Sequence, residues 1–154
     1  MKKILILLFG LCITLFSCDK KSVYSKFYDL PENHQWQKTD EQVFEFTIED
    51  DSKLYDIIFK FGHVYDYQFD NIPINFVIEN PSGEKEKTTI DLMIKDSSGK
   101  EIADCGGDIC DLKLKIKEKT KLSKGNYKVT FSHSFKGPYL PNVLGIGLNV
   151  EIVN

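Results

Sequence analysis

The stretch Phe44-Glu45-Phe46-Thr47-Ile48-Glu49 decides the fold class, because apolar and polar side chains alternate strictly along it. A period of two places the apolar side chains on one face of a β-strand and the polar ones on the other. No segment of comparable length shows a convincing helical period. The same alternation recurs in six further runs: Tyr55, Ile57, Phe59, Phe61; Ile74, Phe76, Ile78; Ile90, Leu92, Ile94; Leu112, Leu114, Ile116; Tyr127, Val129, Phe131; and Ile146, Leu148, Val150, Ile152.

Turn sequences separate these runs. Asn80-Pro81-Ser82-Gly83 and Asp96-Ser97-Ser98-Gly99 each stand between runs of strand length, which predicts antiparallel hairpins. Lys124-Gly125-Asn126 turns the chain into the run that begins at Tyr127. We therefore expect an all-β fold, an antiparallel β-sandwich with about eight strands and jelly-roll-like topology. It should occupy residues 41–154, after a lipidated N-terminal segment or linker over 18–40. No repeat or second domain is evident.

The N-terminus predicts a lipoprotein signal peptide over residues 1–17. Lys2 and Lys3 precede an apolar run that ends in Leu15-Phe16-Ser17-Cys18, so Cys18 is the predicted lipidation site. The run is shorter than the roughly 20 residues that a membrane span needs, although a retained membrane anchor and ordinary signal cleavage stay open. We expect anchoring to a membrane of the cell envelope, at the periplasmic face of the outer membrane. Asp19 would instead favour the inner membrane under the enterobacterial sorting rule.

Charge excludes one class of partner. The formal net charge is −3 and every basic side chain is lysine. Nucleic-acid binding requires a dense basic face, and bidentate recognition of phosphates or bases favours arginine. We expect no nucleic-acid partner.

Catalytic and cofactor motifs are absent from the sequence. His34, His63 and His133 are far apart, and no H-E-x-x-H, C-x-x-C or glycine-rich nucleotide loop occurs. We therefore expect no catalytic residues, no cofactor, no metal and no enzymatic activity.

One loop combines cysteines, glycines and acidic residues. Cys105 and Cys110 frame it, and a structural disulfide is the preferred interpretation over two free thiols because an envelope compartment permits disulfides. Asp104, Asp108 and Asp111 could supply oxygen ligands to a calcium ion, but we favour the interpretation that they belong to a solvated loop without a metal.

Aromatic residues outside the regular runs are the candidate contacts. Tyr24, Trp36, Tyr65 and Tyr67 are predicted to bind partners, because aromatic rings offer a large contact area at low entropic cost. Two alternatives stay open. The rings could stack on a glycan, or they could pack the N-terminal segment onto the sandwich.

Four segments resemble one known family. They are the segment from Cys18 through Val23-Tyr24 to Trp36, Gly107-Asp108-Ile109, Gly125-Asn126-Tyr127, and Val143-Leu144-Gly145-Ile146-Gly147-Leu148. Together they resemble the GldH family of gliding-motility lipoproteins of Bacteroidetes. Cys105 and Cys110 depart from the family pattern.

The resemblance implies a non-enzymatic accessory or assembly component of gliding motility and type IX secretion. Its partners would then be the membrane, through the lipid at Cys18, and envelope proteins of that machinery. A carbohydrate-binding envelope lipoprotein of the same fold is the alternative, with a glycan as ligand. A small envelope hydrolase is a third hypothesis.

Overall fold

Residues 21–153 are described by a computed structural model of the chain, and they contain strands and no helix. This confirms the all-β prediction. Eleven strands are present in this part of the chain: β1 Ser22–Asp29, β2 Gln35–Gln37, β3 Gln42–Ile48, β4 Leu54–Val64, β5 Asn71–Glu79, β6 Lys85–Met93, β7 Asp104–Gly106, β8 Ile109–Lys121, β9 Gly125–His133, β10 Tyr139–Pro141 and β11 Val143–Val153.

The strands form two main antiparallel sheets. One has the order β1-β11-β4-β8-β7 and the other β3-β9-β5-β6, while β10 and β2 pair separately. Three strands, β2, β7 and β10, have only three residues each. If the eight long strands are numbered along the chain, the two sheets read 1-8-3-6 and 2-7-4-5. This is the strand order of a jelly roll, so the predicted topology is confirmed, with three short strands added.

The alternating residues form the core between the sheets. Phe44, Phe46 and Ile48 are buried, whereas Glu45 and Thr47 between them are exposed. Aromatic rings join the two layers, and the Phe59 and Phe131 centroids lie 4.6 Å apart. Full burial of such a side chain contributes about 1.5–3 kcal/mol. The period-two pattern thus identifies the residues that hold the sandwich together.

The predicted linker over 18–40 is wrong from residue 22 onward. Ser22–Asp29 pairs with β11, and Gln35–Gln37 pairs with β10. As an edge strand, β1 half-buries only Tyr24 and Tyr28, so its sequence shows no clean alternation. Strand β2 is too short to show a period. Cys18 and the predicted signal peptide lie outside the described residues.

Glycines in β11 allow β1 to lie close against it. A Cβ atom at Gly145 would overlap Phe27 Cε1 and would lie 2.6 Å from the Tyr28 carbonyl oxygen. A Cβ at Gly147 would lie 2.6 Å from Phe27 Cδ2. All of these contacts are shorter than van der Waals distances, so side chains at these positions would push Phe27 away. The ring of Phe27 therefore packs directly on the backbone of these glycines.

The sandwich has two ends with different contents. We call the end with Ser22 and the turns 49–53, 80–84 and 122–124 the N-terminal pole, because Ser22 pairs with Glu151 there. The opposite end is the distal pole, and it contains the connections 65–70, 94–103, 107–108 and 134–138. The two sheets extend over the same distance between the poles, since Tyr24 and Tyr28 of one sheet pack on Phe46 and Phe44 of the other.

Candidate functional site at the distal pole

Exposed apolar side chains occur at the distal pole. Tyr65 is 56% exposed and Ile109 is 58% exposed, and Met93 and Ile102 are also exposed at this end. The backbone N–H of Tyr65 donates to the Asp108 carbonyl oxygen over 3.0 Å. This bond joins the connection after β4 to the β7–β8 hairpin. Tyr65 and Ile109 are thus presented by connected backbone segments.

Two of the predicted partner contacts are wrong, because Trp36 and Tyr67 are buried. The hydroxyl of Tyr67 donates to the Pro141 carbonyl oxygen over 2.9 Å, and burial raises the pKa of this phenol. The indole Nε1–H of Trp36 donates to the Asp40 carbonyl oxygen over 2.7 Å. Both rings have their polar atom paired internally, as buried Tyr and Trp require. They pack the loops of the distal pole onto the core.

The other two predicted contacts are accessible to different degrees. Tyr65 is largely exposed, whereas Tyr24 is half-buried with its ring centroid 5.7 Å from that of Phe46. Burial raises the pKa of the Tyr24 hydroxyl. The structure therefore leaves Tyr65 as the aromatic side chain with the largest free surface among the four.

His133 lies beneath Trp36. Its Nε2 is 3.0 Å from the Trp36 carbonyl oxygen, which makes Nε2 the protonated nitrogen, and its ring meets the indole edge-on. Burial lowers the pKa of His133, and the positive charge of Lys38 acts in the same direction. The imidazole is thus a neutral structural group of the core.

A second buried histidine lies in a row with two cysteines. His63 on β4 is paired with Cys110 on β8, and Cys110 is paired with Cys105 on β7. Directly paired residues in antiparallel strands project to the same face of the sheet. Cys105 and Cys110 are joined by a disulfide in the structure. Three side chains of metal-ligand type therefore lie side by side across three strands.

Glu101 completes this cluster. Its Oε2 lies 3.9 Å from His63 Nε2 and 3.6 Å from Cys105 Sγ, while its Oε1 accepts a 2.8 Å hydrogen bond from the backbone N–H of Tyr67. Ligand atoms of His63, Glu101 and Cys110 all lie within 4.8 Å of one another. The sequence indicated no metal site, because only the folding of β4, β8 and the connection before β7 brings these residues together. The spacing of the two cysteines was the one local signal.

The acidic residues of the same loop are not part of this cluster. Asp104, Asp108 and Asp111 are all exposed, as expected for a solvated loop.

The N-terminal pole has a concave surface whose two lining aromatic rings are buried. A cavity of about 750 Å³ is lined there by polar residues and by Phe46 and Tyr127. These two rings are each only 5% exposed and stack on one another with centroids 5.3 Å apart. Neither ring presents a face on which a sugar could stack.

Comparison with known proteins decides the family. The family model described as GldH lipoprotein matches residues 22–150, which is nearly all of the described chain. The chain belongs to the GldH lipoprotein family. The resemblance seen in the sequence is thereby confirmed, and membership of a lipoprotein family implies a membrane-anchored protein of the cell envelope. Within residues 21–153, no helix is long and apolar enough to cross a membrane.

Two relatives carry the family name. A protein named gliding motility lipoprotein GldH homolog from Christiangramia forsetii is 29% identical over 133 residues, covering 85% of this chain and 80% of the relative. The gliding motility lipoprotein GldH of Flavobacterium johnsoniae is 32% identical over 117 residues, covering 76% and 72%. This GldH-family chain therefore matches most of the length of both.

One solved structure is also similar, at a low level. It is a family GH115 4-O-methyl-α-glucuronidase with specificity for decorated arabinogalactans, with a TM-score of 0.42 and 11% identity. The match covers 88% of this chain but only 18% of that enzyme.

Proposed function

We propose that this chain is a non-enzymatic accessory lipoprotein of the gliding-motility and type IX secretion machinery. It is anchored through Cys18 and holds envelope proteins at its distal pole. The family match and the names of its relatives support the gliding-motility part of this proposal. Among the described residues, the four most exposed large apolar side chains, Tyr65, Met93, Ile102 and Ile109, lie at the end of the sandwich opposite the start of β1, and this observation supports the contact surface.

The anchor position orients the domain. Cys18 is four residues before Ser22, so the lipidated residue lies within about 14 Å of the N-terminal pole even if the chain between them is fully extended. Strand β8 runs between the poles over 13 residues, a span of about 40 Å at roughly 3.3 Å per residue. The N-terminal pole thus faces the bilayer, and the distal pole stands away from it.

A protein partner is the best occupant for the distal pole. Tyr65 and Ile109 are exposed on backbone segments that a hydrogen bond holds together. Exposed apolar side chains of this kind gain free energy when a partner covers them. Truncation of one central aromatic contact costs about 2 kcal/mol or more of binding free energy, which is roughly a 30-fold loss of affinity.

The experiment replaces these residues in cells that carry the variant as their only copy. The double variant Tyr65→Ala/Ile109→Ala should lose recovery of envelope partners, surface spreading and adhesin export. The matched control is Val23→Ala/Leu54→Ala, which removes two exposed apolar side chains near the N-terminal pole. The control should retain all three. Equal effects of both variants would contradict a contact surface at the distal pole.

The carbohydrate-binding alternative is an outcome of the same experiment. Tyr65 could stack on a sugar, but Trp36 and Tyr67, the other rings first considered for this role, are buried. If cells with Tyr65→Ala/Ile109→Ala glide and export adhesins normally, while the purified variant loses binding of an oligosaccharide that the wild-type chain binds, the sugar-binding function replaces this proposal.

The proposed location is the periplasmic face of the outer membrane. The variant Cys18→Ala should fold and lose its membrane association, because the paired strands and the core of the sandwich lie within residues 22–153. Separation of inner and outer membranes should place the wild-type chain in the outer membrane. An unprocessed Cys18→Ala chain that stays with membranes after a high-salt wash would show that the apolar N-terminal segment is a retained anchor.

A further inference from the structure

The His63 side chain has an unsatisfied nitrogen in the core. His63 is fully buried, and its Nδ1 pairs with the Val64 carbonyl oxygen over 2.9 Å. Its Nε2 has no hydrogen-bond partner among the described residues, and Glu101 Oε2 approaches it only to 3.9 Å. Buried polar atoms are normally paired, so an unpaired one calls for a ligand or another role. This nitrogen points towards the carboxylate and the disulfide.

The surrounding side chains are of the types that bind zinc in proteins. Cysteine sulfur, histidine nitrogen and carboxylate oxygen are the zinc ligands of proteins, at distances of about 2.0–2.3 Å from the metal. A tetrahedron of that size keeps its ligand atoms roughly 3.3–3.8 Å apart. The separations from Glu101 Oε2, 3.9 Å to His63 and 3.6 Å to Cys105, are close to this range. Cys105 and Cys110 enclose four residues, within the usual cysteine spacing of zinc sites.

The redox state of the disulfide determines whether such a site can form. A disulfide sulfur has no thiolate charge, whereas zinc binds thiolates. We propose that Cys105, Cys110, His63 and Glu101 form a zinc site when the disulfide is reduced, and that disulfide and metal are alternative states of the distal pole. The two states differ at the hairpin that carries Ile109 and bonds to Tyr65.

The chemistry of the exchange balances with a dithiol donor. A dithiol attacks the disulfide, passes two electrons and two protons to Cys105 and Cys110, and leaves as a disulfide itself. The half-buried Cys105 is the sulfur that such a donor can reach, because Cys110 is fully buried. Zn²⁺ then displaces the two thiol protons and takes His63 Nε2 and Glu101 Oε2 as its remaining ligands.

The test uses the full lipoprotein in detergent, reduced with a phosphine that is removed under nitrogen. Titration with Co²⁺ should produce a thiolate-to-cobalt charge-transfer band, and Zn²⁺ should abolish it by displacing the cobalt. The oxidised protein and the reduced Cys105→Ser/Cys110→Ser variant should show no such band. His63→Gln and Glu101→Gln should each lower the affinity for zinc at least about tenfold, since even outer-shell substitutions have effects of that size.

The matched control is Asp104→Asn, which removes an exposed carboxylate next to Cys105. It should bind zinc like the wild-type chain. Circular dichroism and urea unfolding of each oxidised variant establish that it folds, and if His63→Gln fails this check, Glu101→Gln decides. The proposal is overturned if the reduced wild-type chain binds zinc no more tightly than the double serine variant. It is also overturned if Glu101→Gln binds like the wild type.

Discussion

The two poles of the sandwich are held in different ways. At the N-terminal pole the chain reverses in short turns that depend on local hydrogen bonds, such as those of Asn80, whose Oδ1 accepts from the backbone N–H groups of Ser82 and Glu84. At the distal pole a turn of this kind recurs at Asp96, but the longer connections also depend on buried aromatic rings, with Trp36 on His133 and Tyr67 on His63. Within residues 21–153 the disulfide lies at this end.

This difference explains why the most exposed of the described apolar side chains lie at the distal pole. Short turns leave little room for side chains that are neither buried nor part of the turn. Longer connections that are anchored by a few buried rings can present apolar residues such as Tyr65 and Ile102 to the solvent. The buried rings support the surface, and the exposed side chains form it. Substitutions should therefore separate these two roles.

The largest effect is expected for Trp36→Ala. Trp36 is fully buried, and its loss leaves a cavity and an unpaired Asp40 carbonyl oxygen. We expect the free energy of unfolding to fall by about 3–5 kcal/mol, measured by urea denaturation. The conservative variant Trp36→Phe keeps most of the volume and should lose less. A change below 1 kcal/mol, on the order of a surface substitution, would show that the distal pole does not depend on this ring.

A smaller effect is expected for Asn80→Ala at the N-terminal pole. The substitution removes the acceptor for two backbone N–H groups and for the Ser82 hydroxyl, but water can replace it. The free energy of unfolding should fall by about 1 kcal/mol. Ser123→Ala, at an exposed position in another turn of the same pole, is the control and should be nearly neutral. A loss as large as that of Trp36→Ala would remove the contrast between the poles.

The pH dependence of stability should report His133. In the unfolded chain the imidazole titrates near its ordinary pKa of about 6.5, whereas burial lowers its pKa in the folded chain. Above pH 7 it is neutral in both states. As the pH falls through 6.5, the unfolded state takes up a proton that the folded state does not, so the free energy of unfolding decreases. Urea denaturation between pH 7.5 and pH 5 should show a shallower decrease for His133→Gln. Parallel curves would contradict this assignment.

The smallest effect on stability is expected for Tyr65→Ala. The ring is largely exposed, so the free energy of unfolding should change by no more than about 0.5 kcal/mol. Tyr67→Ala, two residues further along, removes a buried ring and should cost about 3–5 kcal/mol. Thermal and urea denaturation of the two variants give the comparison. Similar losses would mean that Tyr65 supports the fold and is no free contact residue.

Local pattern determined the sandwich, because alternation along Phe44–Ile48 and the matching runs sets which face of each strand is buried, whatever its neighbours are. It did not reveal β1, because an edge strand buries few of its side chains and Phe27 depends on glycines at the other end of the chain. The turn residues located chain reversals, but they did not show which strands pair. The turn at 80–83 closes a hairpin between β5 and β6, whereas the turn at 124–126 joins β8 to β9 in the other sheet. The turn at 96–99 closes only a bridge between Lys95 and Glu101, because β6 and β7 belong to different sheets.

Tertiary structure alone decided which aromatic residues are buried. Tyr65 and Tyr67 are equivalent in the sequence, but Tyr67 turns inward to Pro141 and His63, whereas Tyr65 remains at the surface. It also decided the cluster of His63, Glu101 and Cys110, which comes together only through pairing of β4 with β8 and through the loop before β7. Strand periodicity acts between neighbours in the chain, whereas burial in loops depends on contacts between residues far apart in sequence.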